Sequence, residues 1–504
     1  MYIKKITVCL CFLFLSSWMY AQTNIISPSH SGIYNVREYG ASGNGKTLDS
    51  PAINKAIEAC AEAGGGTVYF PAGTYLSGSI HLKSNINLFL DAGSVILGAP
   101  QDMNAYDPPE EFNGMAYQDG GHTYFHNSLI WGENIENVFI TGYGMINGGG
   151  LTRKDKGVGE GSIGLGDKAI ALKSCRNVLF DNFTIFHGGH FAILITGCTN
   201  MTINNITIDT DRDGMDIDCC KNVMVSNCRV NSPNDDGICP KSTYALHKRI
   251  ITENLTITNC QVSGFKEGTL LDGTMIPSKN ATGRIKFGTE SDGGFRNITI
   301  SNCTFRDCRG LALEEVDGGI MQNITINNIS MINIKSYPIY ITLGKRNRAP
   351  DSTVMGVMKN IIISNVVATG VDSMSGVQVT GLPGDNIEHV RLQNIWISYK
   401  GGGTKAEAEK TFPELGKGYP EPHNLGVTPA YGLFARHVND LQMDNIRFNY
   451  EKEDMRPAMV CEDINGLQID DFKAETAHGI KPAKIQEVKD LVVRNSPELK
   501  WKRK

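Results

Sequence analysis

An asparagine pattern recurs through the middle of this 504-residue chain and constrains its fold more than any other feature. The pattern is Asn-apolar-x-apolar-x-Asn, with the second Asn five residues after the first. Its copies are Asn177/Asn182, Asn200/Asn205, Asn222/Asn227, Asn254/Asn259, Asn297/Asn302, Asn323/Asn328 and Asn360/Asn365. Apolar and polar residues alternate inside each copy, which predicts strands. Copies that return every 22 to 43 residues predict a solenoid with one copy on each coil.

The asparagines predict a ladder at a turn, in which stacked side-chain amides bond one coil to the next. We expect these amides to be buried and fully bonded, which disfavours glycosylation even where the sequence reads N-x-[ST]. Cys228, Cys260 and Cys303 each follow a repeat start by six residues. They predict a column of small buried side chains. The alternative, a metal site, lacks a CxxC pair with His partners, and the sequence assigns no disulfides.

The N-terminus has the form of a secretory signal peptide over residues 1–21. Lys4 and Lys5 precede an apolar run, Ile6–Leu15, and Met19-Tyr20-Ala21 is a cleavage site. The run is too short to span a bilayer, so an uncleaved anchor is the weaker alternative. We expect an exported protein, periplasmic or secreted. A net charge of −5 is not the strong positive charge typical of proteins that bind nucleic acids or membrane surfaces. We therefore expect no nucleic-acid partner and no membrane association after cleavage.

Residues 22–100 differ from the repeats and predict an N-terminal cap with the first coils. Ser50-Pro51 offers an N-cap followed by Pro at N1 of a helix that ends at Gly64–Gly66. The terminal coil of a solenoid needs such a helix to cover its core. Residues 101–504 continue the same domain. We therefore expect an all-β protein, a single parallel β-helix with an N-terminal capping helix.

Two neighbouring coils carry acidic residues at matching places. Asp213 follows Asn200 by thirteen residues, and Asp235 follows Asn222 by thirteen. Parallel strands stack about 4.8 Å apart, so we expect Asp213 to lie one coil from Asp235, with Asp236 beside it. When carboxylates lie this close together, their repulsion raises the pKa of at least one of them. A general acid that works at neutral pH requires such a raised pKa.

Such a group of aspartates has three interpretations. A single Asp at a turn most often bonds its own backbone. Clustered carboxylates also suit a hard cation. Paired carboxylates are the machinery of glycoside hydrolysis. Unpaired stacked carboxylates are costly, which disfavours the first interpretation here.

Two motifs carry a resemblance to a known family. DRDGMD and NDDGICPKS resemble the N-T-D-G-x-D and D-D-C-I-A-x-K-S motifs of glycoside hydrolase family 28, the polygalacturonases and their relatives. The segment that begins VREYGASGNGKTLDS is also similar to that family's opening, and the resemblance covers most of residues 34–370. It implies a right-handed parallel β-helix, inversion at the anomeric carbon, and no cofactor or metal.

The resemblance also implies roles for individual residues. Asp235 matches the general acid, and Asp213 and Asp236 match the pair that positions and deprotonates the attacking water. An inverting site separates its acid and base by about 6.5–9.5 Å, which we expect here. Lys241 matches a Lys of many bacterial members, where it either pairs with a uronate carboxylate or is solvated.

The chain also departs from the family. Its G-H-G motif falls at Ala281-Thr282-Gly283, so the histidine is absent. His190, thirteen residues after Asn177, is expected in register below Asp213. It either contributes to the substrate site from the opposite side or is a packed structural residue.

The basic R-I-K motif of the family falls on residues 310–315, where Ala312 and Glu314 replace the two cations. Glu314 would repel a uronate and bind the hydroxyls of a neutral sugar, so we expect rhamnose on the leaving side. Arg284 and Lys286 lie one coil before these residues, and their side chains share one face of a strand. From there we expect them to contact a carboxylate from a different direction than the R-I-K motif does.

These observations predict a monomeric, exported, inverting glycosidase that cleaves galacturonosyl bonds of a pectic polysaccharide or oligosaccharide, of the rhamnogalacturonan type. Three alternatives stay open: an ordinary polygalacturonase acting on homogalacturonan, a calcium-dependent polysaccharide lyase, and a non-catalytic carbohydrate-binding β-helix. The extra length between Asn254 and Asn297 is expected to wall the site, and closure of one end of the groove by the long loops at 265–281 and 400–430 would favour exo action. The sequence does not decide between endo and exo action.

Overall fold

A computed structural model describes residues 32–111, 120–152, 166–279, 281–349 and 354–499. The predicted signal peptide, residues 1–21, lies outside these ranges. Within them, no helix combines the length and the apolarity needed to cross a bilayer.

The described chain winds into a right-handed parallel β-helix, which confirms the predicted fold. Its strands form two sheets, one of six strands and one of 27. Strands one coil apart pair in parallel, for example Thr199–Asn204 with Lys221–Ser226. The strands of the six-stranded sheet, which we refer to as the site sheet, are Ile80–His81, Ser128–Glu133, Lys168–Lys173, Phe191–Thr196, Asp213–Asp218 and Ile238–Lys241.

The long sheet holds the other strands. Those before residue 240 are Ile33–Asn35, Asn44–Leu48, Gly66–Phe70, Gly73–Ser77, Ile86–Leu90, Ser94–Gly98, Glu136–Gly142, Met145–Asn147, Arg176–Asp181, Thr184–Phe186, Thr199–Asn204, Thr207–Asp209, Lys221–Ser226 and Arg229–Asn231. Those after it are Thr252–Thr258, Gln261–Ser263, Lys286–Phe287, Gly294–Arg306, Arg309–Glu315, Ile320–Ile332, Lys335–Leu343, Val357–Val371, Val377–Thr380, Ile387–Gly401, Leu433–Lys452, Met459–Ala474 and Ala483–Arg494.

Alternation of apolar and polar residues packs the interior of the coils. In one strand Val223 and Val225 are buried while Met224 between them is exposed. Val225 stacks on Ile203 below and on Ile257 above, and all three side chains are inaccessible to solvent. Each such buried aliphatic side chain contributes about 1.5–3 kcal/mol to folding, so the repeated column holds the coils together.

The asparagine ladder is present, but its side chains are exposed rather than buried as predicted. The Asn222 amide donates to the Asn200 carbonyl oxygen at 3.1 Å, and the Asn254 amide donates to Asn222 at 2.9 Å. The backbone φ of Asn222 is 55° and that of Asn254 is 56°, the left-handed region that Asn tolerates. A left-handed turn puts each side chain on the rim of its coil, where amides of neighbouring coils satisfy one another without burial.

The predicted column of Cys228, Cys260 and Cys303 lies buried in the core. Each thiol lies within hydrogen-bond reach of the carbonyl two residues earlier on its own coil. The eleven cysteines of the described chain, from Cys60 to Cys461, are all buried free thiols. They behave as small apolar residues of the core.

The capping helix spans Ser50–Glu62, with Asp49 rather than the predicted Ser50 as its N-cap. The Asp49 carboxylate does not cap the helix but accepts hydrogen bonds from the backbone N–H groups of Ser42, at 2.7 Å, and Gly43, at 3.0 Å. Ile53 and Ile57 are fully buried against the first coils. Other helices are short: Val36–Tyr39, Gln101–Met103, Gly120–Thr123, Lys405–Ala408 and Pro422–Leu425.

Candidate active site

The acidic residues meet at the upper end of the site sheet. Met215 pairs with Ile238, and the Gly214 N–H donates to the Asp236 carbonyl at 3.0 Å. In backbone register Asp213 therefore lies opposite Asp236 rather than Asp235 as predicted, although the carboxylates of Asp213 and Asp235 are still close together. The offset between these two coils is 23 residues on this face and 22 at the asparagine ladder, because the turn before Ile238 holds one more residue.

Asp213, Asp235 and Asp236 do form the predicted cluster. One oxygen from each carboxylate lies within 4.8 Å of the others. This distance joins the nearest oxygens, so it is a lower bound on the separation between the carboxyl groups, which is expected to be about 6.5–9.5 Å for the acid and base of an inverting site. A divalent cation would fit between the three oxygens, but basic side chains of the protein already bond two of these carboxylates.

Asp236 is held as an anion. Arg284 Nε lies 2.7 Å from its Oδ1, and Lys286 Nζ lies 3.1 Å from its Oδ2. Burial opposes ionisation, but the charges of Arg284 and Lys286 outweigh it and hold the pKa of Asp236 well below its usual range. Arg284 and Lys286 thus meet a carboxylate, as expected, but it belongs to the protein.

Asp213 has the opposite environment. It is buried, and its neighbours Asp235 and Asp216 are acidic. Burial first, and then these two charges, raise the pKa of Asp213 well above its usual range. The cluster therefore sets an Asp213 whose pKa is raised beside an Asp236 whose pKa is lowered. Environments that push two carboxyl pKa values apart are typical of acid–base sites.

Asp235 is the accessible member of the cluster, with 29% of its side chain exposed. Its Oδ2 lies 2.6 Å from Nη2 of Arg212, which is 24% exposed. Arg212 was missed in the sequence, although it stands where the resembled motif N-T-D has Thr. This replacement of Thr by Arg was the feature of the sequence that could have identified Arg212 as a site residue.

Asp216, three residues after Asp213, is a second buried carboxylate that the sequence analysis did not single out. Its Oδ2 lies 2.8 Å from Nε2 of His122 and 3.8 Å from Nζ of Lys241. Lys241 also lies 3.1 Å from Glu290 and is buried. Neither predicted role of Lys241, pairing with a uronate or a solvated position, fits a side chain enclosed by two protein carboxylates.

His190 lies one position earlier than predicted, because Phe191, not His190, pairs with Asp213. The buried His190 ring packs edge-on against Phe191 at 4.4 Å between centroids. Of the two roles predicted for His190, substrate binding and structural packing, this arrangement fits structural packing. His122 is the histidine that bonds an acidic residue of the site, and no motif in the sequence indicated it.

Comparisons with known proteins agree with this arrangement. A family model described as "Rhamnogalacturonase A/epimerase, pectate lyase-like" matches residues 33–266. The chain is 25% identical over 382 residues to "Probable polygalacturonase" of Vitis vinifera, covering 71% of this chain and 73% of that one. It is 23% identical over 418 residues to "Exo-poly-alpha-D-galacturonosidase" of Dickeya chrysanthemi, covering 71% and 65%.

Among solved structures, an exopolygalacturonase from Thermotoga maritima superimposes with a TM-score of 0.63 at 21% identity, covering 82% of this chain and 91% of that one. That likeness shows the shared fold. Together these comparisons support assigning the chain to the pectin lyase-like superfamily and to glycoside hydrolase family 28.

The coil that carries the basic R-I-K motif in family 28 is acidic here. Lys286 pairs with Ala312 in register, and Glu314 follows two residues later. Glu314 is fully buried, 3.9 Å from Lys286 Nζ and 4.0 Å from Arg284 Nη2. Burial raises its pKa to about 7. A direct contact between Glu314 and sugar hydroxyls is therefore wrong for this structure, because neighbouring side chains cover it.

The 400–430 insertion packs against the basic residues beside the acidic cluster. Glu421 bonds Arg284 and lies 2.8 Å from Nη1 of Arg309. The Tyr419 hydroxyl lies 3.1 Å from Oγ1 of Thr289. The insertion therefore supplies a carboxylate partner to both arginines.

The 265–281 insertion lies on a neighbouring coil. The backbone N–H groups of Leu270 and Leu271 each donate to Asp209 Oδ2 at 3.1 Å, and Glu267 lies 3.0 Å from His187. This loop therefore packs against the coils that carry Asp209 and His187.

A further wall comes from residues that the sequence analysis did not consider. Phe125 packs with Ala171, Phe191 and Leu194 on the outer face of the site sheet. Because Phe191 pairs with Asp213, this apolar cover begins on the coil directly before the cluster.

Proposed function

We propose that this protein hydrolyses α-galacturonosyl bonds in pectin. The observation that carries the proposal is the cluster of three carboxylates, whose nearest oxygens lie within 4.8 Å of one another and in which the pKa of Asp213 is raised while that of Asp236 is lowered. Relatives that are named for polygalacturonase activity support a glycosidase of this type.

Each carboxylate has one role in the proposed reaction. Asp235, the most exposed, donates a proton to the departing glycosidic oxygen. Asp236, fixed by Arg284 and Lys286, and Asp213 position the water that attacks the anomeric carbon, and this pair takes up its proton. Attack by water in one step inverts the anomeric carbon. Acid–base groups of this kind contribute about 10²–10⁴-fold to rate.

We propose rhamnogalacturonan as the preferred polymer. The coil that resembles the uronate-binding coil of the family carries Ala312 and Glu314, and the cations beside it, Arg284 and Lys286, already pair with Asp236. An additional carboxylate on the leaving sugar would meet a site whose positive charges are neutralised. A neutral sugar such as rhamnose avoids this cost.

We propose action at chain ends. The cover around Phe125 fills one side of the site, and Tyr419 and Glu421 of the 400–430 insertion close another. A site enclosed in this way admits the end of a polymer more readily than its middle.

The deciding experiment is the product profile from defined rhamnogalacturonan and homogalacturonan substrates. We expect saturated products from rhamnogalacturonan, released as small sugars with little early loss of viscosity. Cleavage of homogalacturonan alone would refute the rhamnose assignment. Unsaturated products absorbing in the ultraviolet, lost on chelation, would show a lyase, and binding without products from either polymer would show a carbohydrate-binding protein.

We also propose that residues 1–21 direct export to the periplasm or medium and that the mature chain is a monomer. Cell fractionation with N-terminal sequencing tests the first statement, and light scattering coupled to gel filtration tests the second. Intact residues 1–21 on the purified cellular protein would overturn the first.

A further inference from the structure

Tyr419 is an exposed aromatic residue that the proposed reaction does not use. It lies in the 400–430 insertion and is 37% exposed. Tyr143, at 70%, and Trp396, at 55%, are also exposed, but they lie in a turn and a strand of the long sheet. Tyr419 instead lies beside the acidic cluster, with its ring centroid 5.9 Å from Nζ of Lys286. An aromatic ring that stays open to solvent at such a site is a surface on which a ligand can pack.

Contacts with the protein fix the position of the Tyr419 ring. Its hydroxyl lies 3.1 Å from Oγ1 of Thr289, and one face of the ring is turned toward Lys286. Two residues later in the same segment, Glu421 bonds Arg284. The hydroxyl and the inner face of the ring are therefore engaged by the protein, and the outer face accounts for the exposure.

Tyr419 and the apolar cover around Phe125 lie on opposite sides of the acidic cluster. The cover begins on the coil before the cluster. Lys286, which faces the Tyr419 ring, belongs to the coil after that of Asp236 and lies 3.1 Å from its carboxylate. The following coil carries Glu314 and is the one expected to face the leaving sugar. Tyr419 therefore lies where the sugar beyond the cleaved bond would pass.

The other groups described here on the leaving side are already engaged. Arg284 and Lys286 pair with protein carboxylates, and Ala312 is buried in a small apolar cluster with Tyr337. The outer face of Tyr419 is thus the accessible surface among these residues. Rhamnose is a 6-deoxy sugar, so it offers a methyl group and ring C–H bonds. Such an apolar surface suits the face of an aromatic ring.

We propose that Tyr419 binds the leaving sugar by stacking, and that it thereby selects rhamnose on that side of the cleaved bond. The inference rests on the proposed function and names the residue that recognises the neutral sugar. No proton or bond of Tyr419 changes in the reaction. The contact with Thr289 holds the ring in one orientation before the substrate arrives, which lowers the entropy lost on binding.

The test is the kinetics of Tyr419→Ala on a rhamnogalacturonan oligosaccharide whose leaving sugar is rhamnose. We expect KM to rise about tenfold while kcat changes by less than about twofold, because stacking holds the sugar equally before and during the reaction. Tyr419→Phe keeps the ring and removes the hydroxyl, so its KM should stay within about threefold of that of the unmodified protein. A tyrosine that merely supports Lys286 and Asp236 would lower kcat instead.

Two results would overturn the proposal: an unchanged KM in Tyr419→Ala, or a Tyr419→Phe as impaired as Tyr419→Ala. If Tyr419→Ala does not fold, Tyr419→Leu, which keeps apolar bulk but has no flat ring, should show the rise in KM.

Tyr143→Ala is the matched control. Tyr143 is an exposed tyrosine in the turn between the strands Glu136–Gly142 and Met145–Asn147 of the long sheet. Its removal should leave both KM and kcat unchanged. An equal rise of KM in Tyr143→Ala and Tyr419→Ala would contradict a specific role of Tyr419, since loss of any surface tyrosine would then have the same effect.

A binding measurement separates this inference from the proposed function. The probe is a rhamnogalacturonan oligosaccharide with rhamnose at its non-reducing end, which is the half that leaves, and calorimetry measures its affinity. Tyr419→Ala should bind it about tenfold more weakly than the unmodified protein, and Tyr419→Phe about equally. Equal affinity in all three proteins, or no binding by the unmodified protein, overturns the role of Tyr419 even if pectin is cleaved. Weaker binding by Tyr419→Ala in a protein that cleaves nothing refutes hydrolysis and keeps Tyr419 as the sugar-binding residue.

Discussion

Nε2 of His122 lies 2.8 Å from Oδ2 of Asp216, although 94 residues separate the two in the chain. Both side chains are buried, and Asp216 adjoins the acidic cluster. The segment that carries His122 therefore attaches to the coil that carries Asp213.

His122→Ala should lower both stability and activity, because it leaves a buried carboxylate without its hydrogen-bond donor. We expect the free energy of unfolding to fall by about 1–3 kcal/mol, measured by denaturant titration. His389→Ala is the control: His389 lies 2.9 Å from Asp440 but is 58% exposed, so its loss should change stability by less than about 1 kcal/mol. Equal losses in the two variants would contradict the role of the buried pair.

Asp235→Asn should lower kcat by about 10²–10⁴-fold, because an amide cannot donate the proton that the leaving oxygen requires. Asn234→Ala is the control, since Asn234 precedes Asp235 on the same turn and its side chain is exposed. It should keep most of the activity. A variant Asp235→Asn with undiminished turnover would exclude Asp235 as the acid.

The proposed one-step attack by water predicts inversion. Proton NMR recorded during early hydrolysis should show the β-anomer of the new reducing end before mutarotation. The close spacing of the three carboxylates makes this measurement informative, because retaining enzymes place their two carboxyl groups at about 5–5.5 Å. Appearance of the α-anomer first would indicate a covalent intermediate and overturn the water-holding role of Asp236.

Glu421→Gln should shift specificity toward homogalacturonan. The change removes the carboxylate that pairs with Arg284 and Arg309, so both cations become able to attract a uronate on the leaving side. We expect the ratio of kcat/KM for homogalacturonan to that for rhamnogalacturonan to rise about tenfold. Glu409→Gln, an exposed site in the same insertion, should leave the ratio unchanged.

Glu314 should make stability depend on pH. Its pKa rises from an ordinary 4.5 to about 7 in the folded protein, so folding favours the protonated form. Its contribution is complete below pH 4.5 and is lost as the pH rises through 7. The difference in unfolding free energy between the unmodified protein and Glu314→Gln should therefore fall across this range. A difference that stays constant with pH would show that Glu314 titrates normally.

The repeat made the fold predictable, because each asparagine pattern marks one coil. It also brought Asp213, Asp235 and Asp236 together correctly. The pattern did not give the neighbours within the cluster, because one extra residue before Ile238 shifts the register on that face. Counting residues from Asn222 could not show that the additional residue lies in the turn before Ile238.

The partners of the cluster were harder to predict because they come from outside the repeat. His122 precedes the regular coils, and Glu421 belongs to an insertion whose position has no periodic marker. Lys241 and Glu314 were placed on the correct coils, but their burial comes from charged neighbours that the repeat does not reveal. Local pattern fixes a residue's coil, whereas tertiary packing decides whether substrate can reach it.

The buried thiols can report which parts of the β-helix have unfolded. They extend from Cys60 near the capping helix to Cys461 near the last coils, and each is shielded in the folded state. A thiol reagent can therefore modify only those turns of the spiral that have come apart. The order in which the cysteines react during gentle denaturation would show from which end the spiral unwinds.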